Sequence, residues 1–457
     1  MRPIQSLNPY TQERLFQMPF LAEEAVGFVL DRAWEVFNRH KFSALSERIL
    51  VVKVLGEALN ADKRLLATVM TQEMGKPLAE AVAEIEKCIV LCNFYSSRAS
   101  TWLKPRIVSE GIVYAKVEYV PLGVILGIMP WNFPFWQVLR LAVPAFLAGN
   151  TILLKHAPNV PLCALKLEEL FLKAGASPGT YQNIFISEAQ VALVLADSRV
   201  RGVSLTGSEQ AGKAVAALAG NHLKKQVLEL GGNDPFVIMP SAQIKEAAHW
   251  AMKSRLINNG QSCIAAKRFI VHEAVYDEFL RALKAEIAAL KIGDPFDPSV
   301  HVGPLARIDL VEGLKKQLDE SVTQGATIEA QYTYAMPHPC FAPITILSGI
   351  KKGMPAYHEE LFGPVFCLFK VQSVEEAIAL ANDSVYGLGA SVWTKDINEQ
   401  TLCEQSIEAG SVFINAIVKS NPSLPFGGVK NSGYGRELSE EGLREFCNVK
   451  TIVVNRG

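Results

Sequence analysis

From Gly123 onward the chain alternates short apolar runs with amphipathic stretches, and this alternation restricts the fold more than any other feature. Residues 124–129, 151–154, 202–205 and 236–239 are short and mostly apolar, as strands buried on both faces are. Between them, 161–174 and 211–219 carry apolar residues at helical spacing. Strand–helix alternation of this length predicts a parallel sheet with helices on both faces. After Cys263 the pattern resumes with strands at 269–271, 364–371 and 411–414 and helices at 275–290 and 374–382, which predicts a second α/β unit. Upstream, residues 20–100 read as mostly helical, with three- and four-residue apolar spacing in 44–59 and 65–73. Residues 102–121 break that period and alternate around a glycine turn at Gly111, the pattern of a hairpin.

A chain of 457 residues is long enough for two or three domains. Its 45 basic and 46 acidic residues leave a net charge of −1, which gives no ground for a nucleic-acid or anionic-lipid partner. Eight cysteines without a C-x-x-C pair and eight histidines without H-E-x-x-H spell no disulfide framework and no metal site. The most apolar stretch, 120–136, is interrupted by Pro121, Pro130, Asn132 and Pro134, so it reads as a buried strand and turn and not a membrane span. With no apolar leader at the amino terminus, a cytoplasmic protein with reduced thiols is expected.

Two stretches carry the chemistry. Asn259-Gly-Gln-Ser-Cys-Ile-Ala-Ala-Lys-Arg268 places Cys263 in a polar, glycine-containing turn, where few apolar neighbours and nearby backbone N–H groups would favour the thiolate nucleophile. Glu229-Leu-Gly-Gly232 ends an apolar run on a carboxylate, a candidate base. The plain readings are a small buried cysteine and a turn. Asn132, in Pro-Trp-Asn-Phe-Pro, could serve only a rigid turn, or its amide could face a developing alkoxide without adding charge. There is no G-x-G-x-x-G. Leu205-Thr-Gly-Ser-Glu-Gln-Ala-Gly-Lys-Ala214 instead follows a strand and opens a helix, with Thr206 and Glu209 at capping-box spacing, and a helix start of this kind binds phosphates. It mimics a Walker A loop, but Ala214 stands where a magnesium-holding hydroxyl is required.

Five segments, in order, resemble the aldehyde dehydrogenase superfamily: Pro130-Trp-Asn-Phe-Pro134, Glu229-Leu-Gly-Gly232, Gly260-Gln-Ser-Cys263, Glu359-Glu-Leu-Phe-Gly-Pro364, and Pro425-Phe-Gly-Gly-Val-Lys-Asn-Ser-Gly433 running into Gly435-Arg-Glu-Leu438. Within it, Lys155-His-Ala-Pro-Asn159 and Lys419-Ser-Asn-Pro-Ser-Leu-Pro-Phe look most like the shorter bacterial succinate-semialdehyde dehydrogenases. The resemblance implies a Rossmann-like NAD(P)-binding domain (1–101 and 122–228), a second α/β catalytic domain (229–425), and a β oligomerisation arm with the C-terminal segment (102–121 and 426–457). It also implies a homodimer or homotetramer.

As catalytic residues the resemblance implies Cys263 as nucleophile, Asn132 in the oxyanion hole and Glu229 as the base that hydrolyses a cysteine thioester after hydride transfer. Trp131, Lys155, Gly207, Ser208, Gly212, Glu360 and Phe362 are implied at the cofactor. Arg140 and Ser420 are implied at a substrate carboxylate, although a structural ion pair explains a buried arginine equally well. Longer relatives carry a second arginine six residues before the cysteine; Ile257 stands there here. Glu437 is either a surface charge or part of a proton relay. Ala265 replaces the second cysteine that some relatives use as a redox switch. NAD-preferring relatives carry a glutamate where Pro158 stands, so both NAD and NADP are expected, with a slight lean to NAD, and no metal. Succinate semialdehyde is the expected substrate. The alternatives are another small aliphatic or ω-carboxy aldehyde, or a CoA-acylating enzyme that would not need Glu229 as hydrolytic base.

Overall fold

The computed structural model describes residues 3–108 and 113–455. Two sheets account for the alternation. The first has six strands in the order Gly433–Tyr434, Lys225–Glu229, Val200–Thr206, Val124–Met129, Thr151–His156 and Tyr181–Asn183. All its pairs are parallel except the one between Gly433–Tyr434 and Lys225–Glu229. The second has seven strands, in the order Thr327–Tyr332, Ile344–Ser348, Val365–Val371, Arg268–His272, Pro235–Ile238, Gly389–Trp393 and Ser411–Ile414. Only Thr327–Tyr332 runs antiparallel to its neighbour. These sheets are the mixed α/β architecture that the sequence predicts.

One strand changes company. The apolar run at 236–239 continues the first series in sequence, yet Pro235–Ile238 lies in the second sheet between Arg268–His272 and Gly389–Trp393. A parallel neighbour needs a crossover, and helix Ile244–Leu256 supplies it toward Arg268–His272. The chain therefore passes from one sheet to the other just after Glu229, and Cys263 sits in the loop that closes this crossover.

Against the first sheet pack the long helices Leu45–Ala61, Leu78–Trp102 and Trp136–Ala148, which share one apolar cluster with Ile125, Ile152 and Leu154. Trp136–Ala148 is buried at every position, so any polar side chain on it must find a partner inside the protein. Cys447–Asn455 pairs antiparallel with Val113–Pro121 along nine residues, and Arg106–Ile107 adds a short third strand. This is the hairpin region; the expected turn at Gly111 lies outside the described residues. Among the described residues no helix is long and apolar enough to cross a membrane, and no cluster of His, Cys, Asp or Glu could hold a metal ion.

Candidate active site

The cysteine loop is fixed by an unusual backbone. Asn258 (φ 55°), Asn259 (φ 58°) and Gly260 (φ 81°) are three consecutive left-handed residues, a run unfavourable for most side chains and tolerated best by glycine and asparagine. Their surroundings offset that cost. Asn258 donates from Nδ2 to the carbonyls of Asn132 (2.8 Å) and Gln261 (3.0 Å), and its backbone N–H donates to Glu80 Oε2 (2.6 Å). Asn259 donates to Gly75 and Pro304 and accepts from Gly303 N. Gly260 is required here, because a Cβ would lie 2.5 Å from the carbonyl carbon of Gly363. The fully buried Arg255 donates to the carbonyls of Gly260, Ala266, Leu361 and Gly363, tying both flanks of the loop together.

Cys263 emerges from this frame half-buried and packed against the apolar cluster of the helical layer. The expectation of few apolar neighbours and a favoured thiolate is therefore corrected: burial pushes the thiol up to about 12, and the nearby Lys267 ammonium opposes that only in part. Lys267 donates to the Ser262 (2.9 Å) and Cys263 (2.5 Å) carbonyls and pairs with Glu360 at 3.1 Å. The same cation thus holds the cysteine turn and Glu360.

A cavity of about 420 Å³ opens beside the thiol. It brings together Cys263, Asn132, Trp131, Gly207, Ser208, Glu360 and Phe362 of the residues singled out in the sequence. Trp131 and Phe362 meet edge to face at 6.0 Å. Asn132 donates from Nδ2 to the Gln261 carbonyl at 3.1 Å, and its Oδ1 is buried without a partner. The adjoining helix, Glu209–Asn221, is capped by Ser208, whose hydroxyl accepts from Ala211 N at 3.2 Å. Thr206 does not cap it, because strand pairing continues through Thr206 opposite Glu229, which leaves the helix to begin two residues later. Gly212 lies outside the cavity lining. A Cβ there would come 2.5 Å from Leu230, so this glycine lets the helix approach the Glu229-Leu-Gly-Gly turn. Lys155 lies in a separate cavity of about 380 Å³ with Pro158 and Glu188; burial lowers its pKa and Glu188 opposes that.

Glu229 does not line the thiol's cavity. Both carboxylate oxygens are buried without a hydrogen-bond partner. One lies where a Cβ on Gly427 would come within 2.7 Å. Burial, reinforced by the negative charge of Glu437, raises its pKa well above the usual carboxylate range, against the pull of Arg140 and Arg436. Glu437 is itself buried and ion-paired with Arg140, whose guanidinium also stacks 4.7 Å from the Phe426 ring centre. Arg140 is therefore held by a carboxylate of the protein, as the plain reading of a buried arginine requires. Ser420 accepts a 2.6 Å hydrogen bond from Lys87 Nζ.

Sequence reasoning missed the polar face that supports this site. On helix Leu78–Trp102, Glu80, Glu84 and Lys87 are four and three residues apart and share one side. Glu80 binds the cysteine loop through Asn258 N. Glu84 is salt-bridged to the buried Lys76 and accepts from Phe135 N and Trp136 N, both at 2.9 Å, which fixes the start of the Arg140 helix. A signal was present: Glu84 falls inside the apolar stripe Ala81, Ile85 and Cys88, where a solvated charge does not belong.

The sequence model of the aldehyde dehydrogenase family matches residues 1–452. The chain belongs to the aldehyde dehydrogenase family. It is 44% identical over 453 residues to succinate-semialdehyde dehydrogenase [NADP(+)] 1 of Mycobacterium tuberculosis, covering 98% of this chain and 99% of that one. A probable succinate-semialdehyde dehydrogenase [NADP(+)] of Synechocystis is 42% identical over 450 residues, with 98% and 99% covered. The crystal structure of succinic semialdehyde dehydrogenase from Streptococcus pyogenes in complex with NADP+ superposes with a TM-score of 0.95 at 39% identity, covering 98% and 99%. Membership of the aldehyde dehydrogenase family makes the chain an NAD(P)-dependent oxidoreductase acting on aldehydes. These relatives are named for NADP(+), and nothing in the comparisons supports the expected lean to NAD.

The residues of this aldehyde dehydrogenase fit a nicotinamide nucleotide. At the helix start, Gly207 leaves open space, since a Cβ there would meet only Leu205 at 3.6 Å. Thr206 Oγ1, in the cavity lining, is buried without a partner. Glu360 is held in place by Lys267 and by Gly232 N at 3.2 Å.

Proposed function

We propose that this chain oxidises succinate semialdehyde to succinate with NADP as the preferred cofactor and NAD as a weaker one. The observation that carries the reading is the placement of the Cys263 thiol and the Asn132 amide in one cavity, in a chain 42–44% identical to proteins named succinate-semialdehyde dehydrogenase. Cys263 loses its proton to solvent and attacks the aldehyde carbon as a thiolate, and the Asn132 amide donates to the oxygen that becomes negative. Gly207, Ser208 and Glu360 would hold a nicotinamide nucleotide, which would accept the hydride that the carbon loses as the cysteine adduct becomes a thioester. Glu229 then takes a proton from the water that cleaves the thioester at Cys263. To do so its side chain turns from Glu437 toward the cavity, gaining solvent and losing the repulsion that keeps it protonated. Lys155 supports NADP, because Pro158 adds no negative charge to its cavity and Glu188, in the same cavity, favours the charged ammonium.

The test is a panel of aldehydes, including succinate semialdehyde, butyraldehyde and glutarate semialdehyde, run with each cofactor and with and without CoA. The highest kcat/KM is expected for succinate semialdehyde with NADP, with succinate as product. Butyraldehyde as the best substrate would defeat the substrate assignment. A higher kcat/KM with NAD would defeat the cofactor assignment, and acyl-CoA formation would point to the acylating alternative.

A further inference from the structure

The two halves of the oxyanion site come from different sheets. Asn132 lies just past strand Val124–Met129 of the first, and Cys263 lies in the loop that leads into Arg268–His272 of the second. They touch at two points. Asn132 Nδ2 donates to the Gln261 carbonyl at 3.1 Å, and Asn258 Nδ2 donates to the Asn132 carbonyl at 2.8 Å. An amide nitrogen carries two hydrogens. The Gln261 carbonyl takes one and so orients the amide, and the second is left for an oxyanion beside the thiol. Where that hydrogen points depends on how the two loops are placed relative to one another.

One short stretch, residues 75–84, grips both loops. On the cysteine side, the Gly75 carbonyl accepts from Asn259 Nδ2 at 3.1 Å and Glu80 Oε2 accepts from Asn258 N at 2.6 Å. On the other side, Glu84 Oε1 accepts from Phe135 N and Trp136 N, both at 2.9 Å. Lys76 stands 4.2 Å from the centre of the Phe133 ring, next in sequence to Asn132. Lys76 and Glu84 are salt-bridged at 2.5 Å, and both are buried. Glu80 and Glu84 lie one turn apart on helix Leu78–Trp102. Four helical residues rise about 6 Å, so the two carboxylates keep a fixed spacing between the loops that they hold.

We propose that Glu80 and Glu84 are positioning residues for the oxyanion site: through Asn258 N, and through Phe135 N and Trp136 N, they set the Asn132 amide in its place beside Cys263. The proposal rests on the roles given above to Asn132 and Cys263, and is independent of which aldehyde is oxidised. Neither carboxylate lines the cavity of Cys263, so both act at one remove. The leverage is large, because a misplacement of about 1 Å at a reacting group can cost about a hundredfold in rate. Glu80 acts by accepting a backbone N–H, so a glutamine, which keeps one carbonyl acceptor without the charge, can stand in for it. The same change at Glu84 would also break the pair with Lys76. Glu80 is therefore the cleaner site to change.

The experiment follows single-turnover NADPH formation, with NADP-loaded enzyme in excess over succinate semialdehyde or butyraldehyde. The proteins are wild type, Glu80→Gln, Glu80→Leu, Asn132→Ala and the double variant Glu80→Leu/Asn132→Ala. Asn132→Ala is read first and should slow the step about 100–1,000-fold, the cost of one oxyanion donor. A rate near wild type there would overturn the Asn132 reading itself. Glu80→Leu should slow both aldehydes by the same factor, about tenfold or more, while Glu80→Gln stays within about threefold of wild type. The Kd for NADP, from fluorescence titration, should stay within about twofold in both, since the cofactor contacts are untouched. The double variant should be no more than about threefold slower than Asn132→Ala, because residues that act as a unit are not additive. A wild-type rate in Glu80→Leu, an equal loss in Glu80→Gln, or losses that multiply in the double variant each overturn the proposal and leave the Asn132 reading intact. Glu84→Gln, run through the same cycle, reports if Glu80→Leu does not fold: its loss should likewise vanish in the Asn132→Ala background.

Discussion

The reactivity of Cys263 without cofactor is the sharpest consequence of the loop geometry. Burial moves this thiol from about 9 to about 12, so at neutral pH its thiolate fraction is about a thousandfold below that of an ordinary thiol. A more basic thiolate is a better nucleophile. With a Brønsted slope of about 0.4–0.5, three pH units return about 1.2–1.5 powers of ten in disulfide exchange. The net expectation is exchange about 30–60 times slower than for a small thiol of ordinary pKa. The perturbation is an aromatic disulfide added to cofactor-free protein at pH 7.5, followed by release of its coloured thiolate. Cys263 is the one cysteine that is not buried, and Cys263→Ala identifies its signal. The rate should rise about tenfold per pH unit to beyond pH 10, and Lys267→Met, which removes the largest opposing charge, should slow it further. A rate at or above that of the reference thiol, or a plateau that begins below pH 9, would refute the reasoning.

Other outcomes follow from the buried charges and the exposed strand. Glu229→Gln should give a burst near one equivalent of NADPH per site and then slow turnover, because thioester formation does not need the carboxylate; loss of the burst would mean that Glu229 acts before hydrolysis. Arg140→Leu leaves Glu437 buried and unpaired and should cost about 3–5 kcal/mol in urea unfolding, with Arg140→Leu/Glu437→Leu recovering much of it; a loss under about 1 kcal/mol would contradict the ion pair. The strand Cys447–Asn455 exposes Val449 (60%), Val453 (59%) and Val454 (43%), so light scattering at micromolar concentration should give at least a dimer, and a monomer mass would exclude this strand as an interface.

The sequence was most legible where hydrophobic period and burial agree. The runs expected at 124–129, 374–382 and 411–414 coincide with Val124–Met129, Val374–Asn382 and Ser411–Ile414. Two of the strands that escaped notice have mixed character. Thr327–Tyr332 is an edge strand, partly exposed, and carries Glu329 and Gln331. Gly389–Trp393 opens on Gly-Ala-Ser, poor strand formers whose place is fixed by two parallel neighbours. The misplaced cap at Thr206 has the same origin. Its local spacing suits a helix start, but pairing with Glu229 across the sheet extends the strand through it.

The motifs located the thiol and its cavity because they are contiguous in the chain. The groups that set its electrostatics are not. Glu80, Glu84 and Lys87 come from a helix that ends well before the first motif, yet one binds the cysteine loop, one fixes the start of the Arg140 helix, and one meets Ser420. Each is an ordinary surface residue by type, and what makes each consequential is the side of the helix on which it falls. A carboxylate on that side can replace a missing cap or hold a left-handed backbone, because it accepts N–H groups that have no other partner. A lysine on that side cannot take up those N–H groups, since it has only donors to offer. Here the lysine donates to the Ser420 hydroxyl and lies over the Trp136 ring. The face that orders the cysteine loop is thus also the face that fixes the Arg140 helix, and a change at Glu84 should disturb the start of that helix, which carries Trp136 and Arg140.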